Sequence, residues 1–529
     1  MSPLLWIPGV PLFAALMLMA VPGTYKVVVR AVTLAATAIP MLVALNLLAG
    51  FDAATPGEGG YRFVQEFPWV ESLGISLKVG LDGVNLGLVV MGSVVGFAAA
   101  CVSWDIRERT KEFHLLLLLM TGGILGAFVS LDVFFLYVFH ELALVPTFIM
   151  IGVWGRGERR TEAAFQITQY LTLGALIALI GLIALYLQSG AQTFDLVRLT
   201  EHVRANPIPE ARQVFIFPWL LFGFGILVSL WPFHTWAPLG YGAAPTATAM
   251  IHAGVVKKFG LYALLKVALP ILPLGAKAWL PLLAWLCLGN ILYCGWVAMR
   301  QKDLNLLIGN SSVAHVGFVF LGLASLTTTG LTGAVVIMVA HGFLAALSFA
   351  LSGWLHAQSG SLEMSRMGGL LRQLPFAGSL MVMAMMAGCG LPGFGSFVGE
   401  MMVLFGGWNS TLAICGGAVS IRWLVAAAAW GALIVAAVYM LRGIRVMFHG
   451  AVAEAWTSVA DLSGAWRKLP YLLLLGGLLA VGVWPRLVTD PAGVSVRPLA
   501  EAVERSRPAP NLAVSAAATA PAVPPAALP

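Results

Sequence analysis

The feature that most constrains this chain is a recurrence of long apolar runs, each close to the length of one bilayer crossing. A helix needs about 20 residues to span the hydrocarbon layer. Runs of that order lie at about 4–21, 27–50, 83–104, 113–131, 133–154, 163–188, 214–235, 244–270, 278–299, 304–325, 329–355, 374–406, 420–447 and 470–489, with charges, Gly and Pro between them. The chain is 60% hydrophobic and only 10% charged, whereas soluble domains carry roughly 25% charge. Apolar side chains must therefore face lipid as well as each other. The expected fold is an all-α polytopic membrane protein of about 14 transmembrane helices. The first run has no basic flank and no small-residue cleavage site, so it reads as a retained span.

Charge supports this count. With the amino terminus outside and every run crossing once, the inner segments hold 16 of the 30 basic residues but only 9 of the 23 acidic ones. Lys and Arg concentrate in cytoplasmic loops, so both termini are expected on the non-cytoplasmic side. The net charge of +7 then follows from topology and does not point to nucleic acid. Residues 51–81 form an outer segment whose alternation (Tyr61-Arg62-Phe63-Val64) predicts a β-hairpin. Residues 190–213 read as a polar outer loop, and the Ala/Pro-rich residues 490–529 as a disordered tail.

Several chemistries are excluded. The cysteines (101, 287, 294, 389 and 415) are scattered, with no CxxC and no Cys/His cluster, so no disulfide framework, metal site or iron–sulfur site is signalled. No phosphate-binding loop or credible dinucleotide fingerprint occurs.

What stands out is charge in the wrong solvent. An ionisable group at mid-membrane costs at least about 2.5–3.5 kcal/mol. Glu141 lies in FLYVFHELALVPTFIM, beside His140, and reads as a relay or ion-pair carboxylate. Lys257 and Lys258 are adjacent in IHAGVVKKFGLYALLK; a helix turns about 100° per residue, so they point to different faces. A lysine kept from water holds its extra proton less tightly, which suits Lys258 to carrying protons and leaves Lys257 to a second cavity or a partner. His315 and His341 lie in consecutive runs, with Ser311 and Ser312 nearby, and histidine titrates near physiological pH. Glu400 follows a Gly/Pro break, GCGLPGFGSFVGE, and reads as a terminal relay carboxylate. A second break, WPFHTWAPLGYGAAPT, contains His234. Helix breaks survive in membranes where they are buried or line a wet cavity, and paired breaks point to inverted repeats around a midplane pathway. Two five-helix units, 112–270 and 278–447, are expected, each with one broken helix. Residues 1–111 precede them and 448–489 follow. The thread from Glu141 to Glu400 suits protons, because metal ions would want an oxygen cage.

At HTWAP…AAPT, the double lysine, SSVAHVGF, MVAHGF and LPGFGSFVGE, the chain resembles the antiporter-like membrane subunits of respiratory complex I, most closely subunit M of the proton-translocating NADH–quinone oxidoreductase. The resemblance covers about residues 1–490. It implies a bacterial inner-membrane protein beside other antiporter-like subunits. NADH, flavin, iron–sulfur clusters and quinone would be bound by partner subunits, and no cofactor by this chain. It assigns Glu141, Lys258, His315, His341 and Glu400 to spans five, eight, ten, eleven and twelve. One departure is clear: Leu227 stands where the family usually has a seventh-span lysine, and APLGY replaces LPDAH. Glu141 would then pair with Lys257 or with a water near His234, or that half of the path would be closed. The alternatives are a D-type component of a multisubunit cation/proton antiporter and a non-pumping scaffold copy of subunit M.

Overall fold

Helix is the one secondary structure that satisfies every backbone polar group within a single apolar run, and the runs fold accordingly. The computed structural model describes residues 3–52, 55, 57–414 and 419–505. Twelve continuous helices among them are long and apolar enough to cross a membrane. In chain order the helices are α1 (Pro3–Ala20), α2 (Lys26–Ala49), α3 (Gly83–Val102), α4 (Thr110–Val129), α5 (Val133–Trp154), α6 (Arg160–Ser189), α7 (Leu196–Ala205), α8 (Glu210–Leu227), α9 (Trp236–Ala243), α10 (246–271), α11 (Pro273–Arg300), α12 (Leu304–Ser325), α13 (Thr328–Ser359), α14 (Pro375–Gly388), α15 (Gly395–Trp408), α16 (Arg422–Phe448), α17 (Ala465–Val483) and α18 (Arg486–Arg505).

The two expected runs missing from the twelve are both interrupted. The run at 244–270 is helical as α10 but contains π-turns at His252–Val256 and Leu264–Ala268. The run at 374–406 divides into α14 and α15.

Burial sorts the bundle. Helices α3 and α13 are buried along their whole apolar length and α12 nearly so, while α1, α2 and α17 bury only about a third of theirs. Phe13, Phe165, Leu187 and Trp423 are more than 60% exposed, as lipid-facing side chains should be. Loops gather on two opposite faces. On one, Lys26 donates to the Arg107 carbonyl, Trp154 to Glu108, Arg156 N–H to Ala243, Met364 N–H to Lys302 and Trp456 to Arg366. The other face carries an antiparallel hairpin of β1 (Arg62–Val70) and β2 (Ile75–Leu81), in the register Arg62↔Leu81 and Val70↔Ile75. Fully buried Lys78 ties the hairpin down through Asp195 at 2.8 Å and Glu58 at 2.7 Å.

Two outer segments differ from their sequence reading. Residues 190–213, read as a loop, contain α7, capped by Asp195 and buried along Leu196, Leu199 and Val203. Apolar residues at that spacing form a helical stripe, and the surrounding charges obscure it. The Ala/Pro tail, read as disordered from 490, is helical to Arg505 as α18; residues 506–529 lie outside the described residues. Val488, Ala492, Val496 and Leu499 lie on one buried face against α3 and α13. That burial outweighs the hydrogen bonds lost at Pro491 and Pro498.

Candidate proton-conducting site

Two helix breaks open the middle of the bundle to polar side chains. Between α8 and α9 the backbone leaves the helix at Val228 and resumes at Trp236. Asn290 of α11, fully buried, accepts from Trp231 N–H at 2.8 Å and donates to the carbonyls of Ser229 and Val313 at 2.9 and 3.2 Å. Between α14 and α15 the chain turns on Gly390 (φ +70°) and Gly393 (φ +101°). A Cβ on Gly390 would stand 2.7 Å from Glu400 Oε2, so glycine lets the carboxylate lean over the break.

Four of the expected residues form one file. Lys258 Nζ lies 2.8 Å from His341 Nδ1 and donates to the Ala253 carbonyl at 2.6 Å. The His341 and His315 ring centroids are 5.7 Å apart. His315 Nε2 lies 3.7 Å from Glu400 Oε1. All four residues are at most 6% exposed. The hydrogen bonds show which ring nitrogen of each histidine is engaged. Nδ1 of His315 is 2.7 Å from the Ser311 carbonyl, so as a donor there it leaves Nε2 to exchange a proton with Glu400. Nδ1 of His341 accepts from the lysine ammonium, which places its own proton on Nε2. Between the rings a cavity of about 20 Å³, lined by Ser311, Ser312, Met381 and Met385, has room for one water.

The partners of the two lysines are a serine hydroxyl, a carbonyl and an imidazole rather than carboxylates. A buried ammonium so weakly compensated is costly, and such a group exchanges a proton readily. The π-turn His252–Val256 delivers both lysines inward on different faces; such wide turns concentrate at functional sites. Lys257 Nζ reaches Ser312 Oγ at 3.4 Å and stands 5.7 Å from the Tyr241 ring centroid. Ser312 thus joins it to the cavity between the histidines.

The structure does not bring Glu141 and His234 into this file. The Glu141 side chain is 36% exposed, although its Oε1 is buried without a hydrogen bond, and it stands apart from the buried thread in which the sequence reading placed it. The inward position belongs to its neighbour: His140 is 1% exposed, stacks on Phe259 at 3.8 Å and lies 3.7 Å from Glu141 Oε1. Adjacent helical residues differ by about 100°, and α5 has only one buried side. His234 is buried in the first break, its Nδ1 3.2 Å from the Pro232 carbonyl and its ring edge-on to Tyr293.

Sequence reasoning missed three polar groups. Tyr439 bonds Ser311 Oγ at 3.1 Å, and His252 Nδ1 lies 3.3 Å from the Tyr241 hydroxyl. His140 is the third. Single buried Tyr and His residues carry no periodic signal; only the fold shows that they meet. Among the described residues no group of three His, Cys, Asp or Glu side chains could hold a metal ion.

A multi-pass helical membrane protein with two broken helices and a buried file of titratable residues defines a class of ion-conducting bundles. The particular family follows from comparison. The transmembrane family NADH:quinone oxidoreductase/Mrp antiporter matches residues 130–426, and the chain belongs to it. NADH-quinone oxidoreductase subunit M of Rhodobacter capsulatus is 32% identical over 483 residues, covering 89% of this chain and 90% of that one. NAD(P)H-quinone oxidoreductase chain 4 1 of a Picosynechococcus is 31% identical, covering 94% and 92%. A chain of respiratory complex I from Thermus thermophilus superposes with a TM-score of 0.82 at 28% identity, covering 95% and 99%. A chain of the Mrp complex from Dietzia shares the fold, with a TM-score of 0.80 at 19% identity.

Proposed function

We propose that this chain is a proton-translocating membrane-arm subunit of an NADH–quinone oxidoreductase. Protons move through Lys258, His341, His315 and Glu400, while electrons pass from NADH to quinone in other subunits. The observation that carries this reading is the buried file of donors and acceptors from Lys258 to Glu400, hydrogen-bonded between Lys258 and His341 and with space for one water between the two histidines. A proton leaves the Lys258 ammonium for His341 Nδ1, and His341 gives up its Nε2 proton through the intervening water to His315. His315 then protonates Glu400; the cycle closes when Glu400 releases its proton, the His341 ring turns to present its bare nitrogen to the lysine, and the lysine is recharged. Lys257, with Tyr241 and His252, feeds this file from the side of the first break, where Leu227 supplies no charge.

The chain sits in a bacterial inner membrane beside other antiporter-like subunits and crosses it fourteen times, the interrupted helices included. The hairpin face, which carries the start of α1 and α18, lies outside the cytoplasm. Support for that orientation is the basic bias of the opposite loops. The cofactors of electron transfer belong to partner subunits.

The test is Lys258→Ala in the assembled complex reconstituted in vesicles. The expected outcome is fewer protons moved per electron at an unchanged level of assembly; an unchanged ratio overturns the assignment. The likeness to the Mrp chain favours one second reading, a cation/proton antiporter subunit. Cation-driven proton uptake in vesicles lacking NADH and quinone would select it.

A further inference from the structure

On the hairpin face a cavity of about 470 Å³ lies between the segment leading into β1, the start of α3, α7, the end of α10 and α18. Exposed Glu201 and Arg204 line it, so it reaches the surface. It holds an ion pair: Lys266 Nζ is 2.5 Å from Asp82 Oδ2, with side chains 14% and 4% exposed. The Lys266 ammonium also stands 4.5 Å from the centroid of the Tyr61 ring.

Lys266 belongs to the same helix as Lys258, eight residues on. Regular α-helical winding would turn the two about 80° apart. The π-turn Leu264–Ala268 winds more slowly and reduces that divergence. Tyr262 stands between them, four residues from each. It is fully buried, edge-on to Phe128 at 5.6 Å, and its hydroxyl, with the Asn85 side chain beside it, makes no hydrogen bond of good geometry among the described residues. The Asn85 amide beside it already donates to the carbonyls of Gly80 and Phe128. A buried hydroxyl left unpaired is costly, and this one belongs to a residue one helical turn from both Lys258 and Lys266, the second of which lines the cavity.

We propose that Tyr262 and the Asp82–Lys266 pair form a second proton outlet, leading from Lys258 into the cavity on the hairpin face. The Lys258 ammonium gives one proton to a water at the Tyr262 hydroxyl. The hydroxyl accepts a proton as it passes on its own, and so ends unchanged. The Asp82 carboxylate takes the proton, which loosens its hold on Lys266, and cavity water carries the proton away. Lys258 is left as a neutral amine, ready to be recharged.

This rests on the reading of Lys258 given above, and the test separates the two. In the reconstituted complex, Tyr262→Phe keeps the ring packing and removes one oxygen. It is expected to lower the proton-to-electron ratio by part of the loss that Lys258→Ala causes, since Lys258→Ala empties both outlets, with assembly retained. If Lys258→Ala lowers the ratio and Tyr262→Phe leaves it at the parental value, the outlet is overturned and the main file stands. If Lys258→Ala changes nothing, both fall. Asp82 also caps α3, so the second probe is Thr200→Cys in the cavity wall, which alone keeps the parental ratio. A bulky, membrane-impermeant maleimide added at the hairpin face is expected to lower that ratio by the same fraction as Tyr262→Phe and to leave the parent unaffected. Complete modification with no change overturns the proposal.

Discussion

At the scale of single residues, the site is a matter of which atom of each side chain is already engaged. His315 has one ring nitrogen at a carbonyl, so only the other faces Glu400. Glu400 in turn owes its position to a residue without a side chain. Alanine at 390 would adopt a left-handed conformation, at about 1–2 kcal/mol, and push against Glu400 Oε2. Gly360 has the same φ of +70° with nothing within 4 Å of a Cβ, so it isolates the strain. Gly390→Ala is expected to lower the proton-to-electron ratio, and Gly360→Ala to lower thermal stability alone. Measuring both quantities on both variants checks the assignment; equal ratios for the two would remove Glu400 from the path.

Among the elements, the broken helices need outside partners for the backbone groups they free. Asn290 serves the first break almost alone, with three hydrogen bonds to Trp231, Ser229 and Val313. Leaving a buried polar group unpaired costs about 1–3 kcal/mol. Asn290→Ala is therefore expected to lower the thermal midpoint of the purified chain in detergent by several degrees, and an unchanged midpoint would show that water closes the break. The second break relies instead on its glycines, including Gly393, whose carbonyl approaches Gly482 so closely that a Cβ there would lie at 2.2 Å.

Across the whole molecule, buried polar ties also secure the hairpin face. Asp132 caps α5 and accepts from Ser76, Phe134 and Phe135 N–H groups. Burial nevertheless pushes its carboxyl up to about 6, against those donors. The folded chain thus binds the proton more tightly than the unfolded one, whose carboxyl titrates near 4. This residue's contribution to stability is full below about pH 4 and is lost as pH rises through about 6. Unfolding midpoints of the parent and Asp132→Asn, compared from pH 4 to 7, are expected to show that slope in the parent alone. Equal slopes would assign it to other groups.

The sequence by itself determined the membrane-spanning character, the helical class and the family, and it marked Lys258, His315, His341 and Glu400 as candidates. Each leaves a local mark: a run of apolar residues, or a charge inside one. It also marked both breaks, because Pro and Gly act where they stand. Tertiary structure alone decided which marks meet. It put His140 rather than Glu141 on the fully buried side of α5, since one residue of helical rotation is invisible in a helix apolar on all sides. It found a partner for Lys257 in Ser312, 55 positions away, and it gave the Ala/Pro segment a helix because α3 and α13 offered a surface to cover. Where a side chain's surroundings come from distant chain, no local pattern records them.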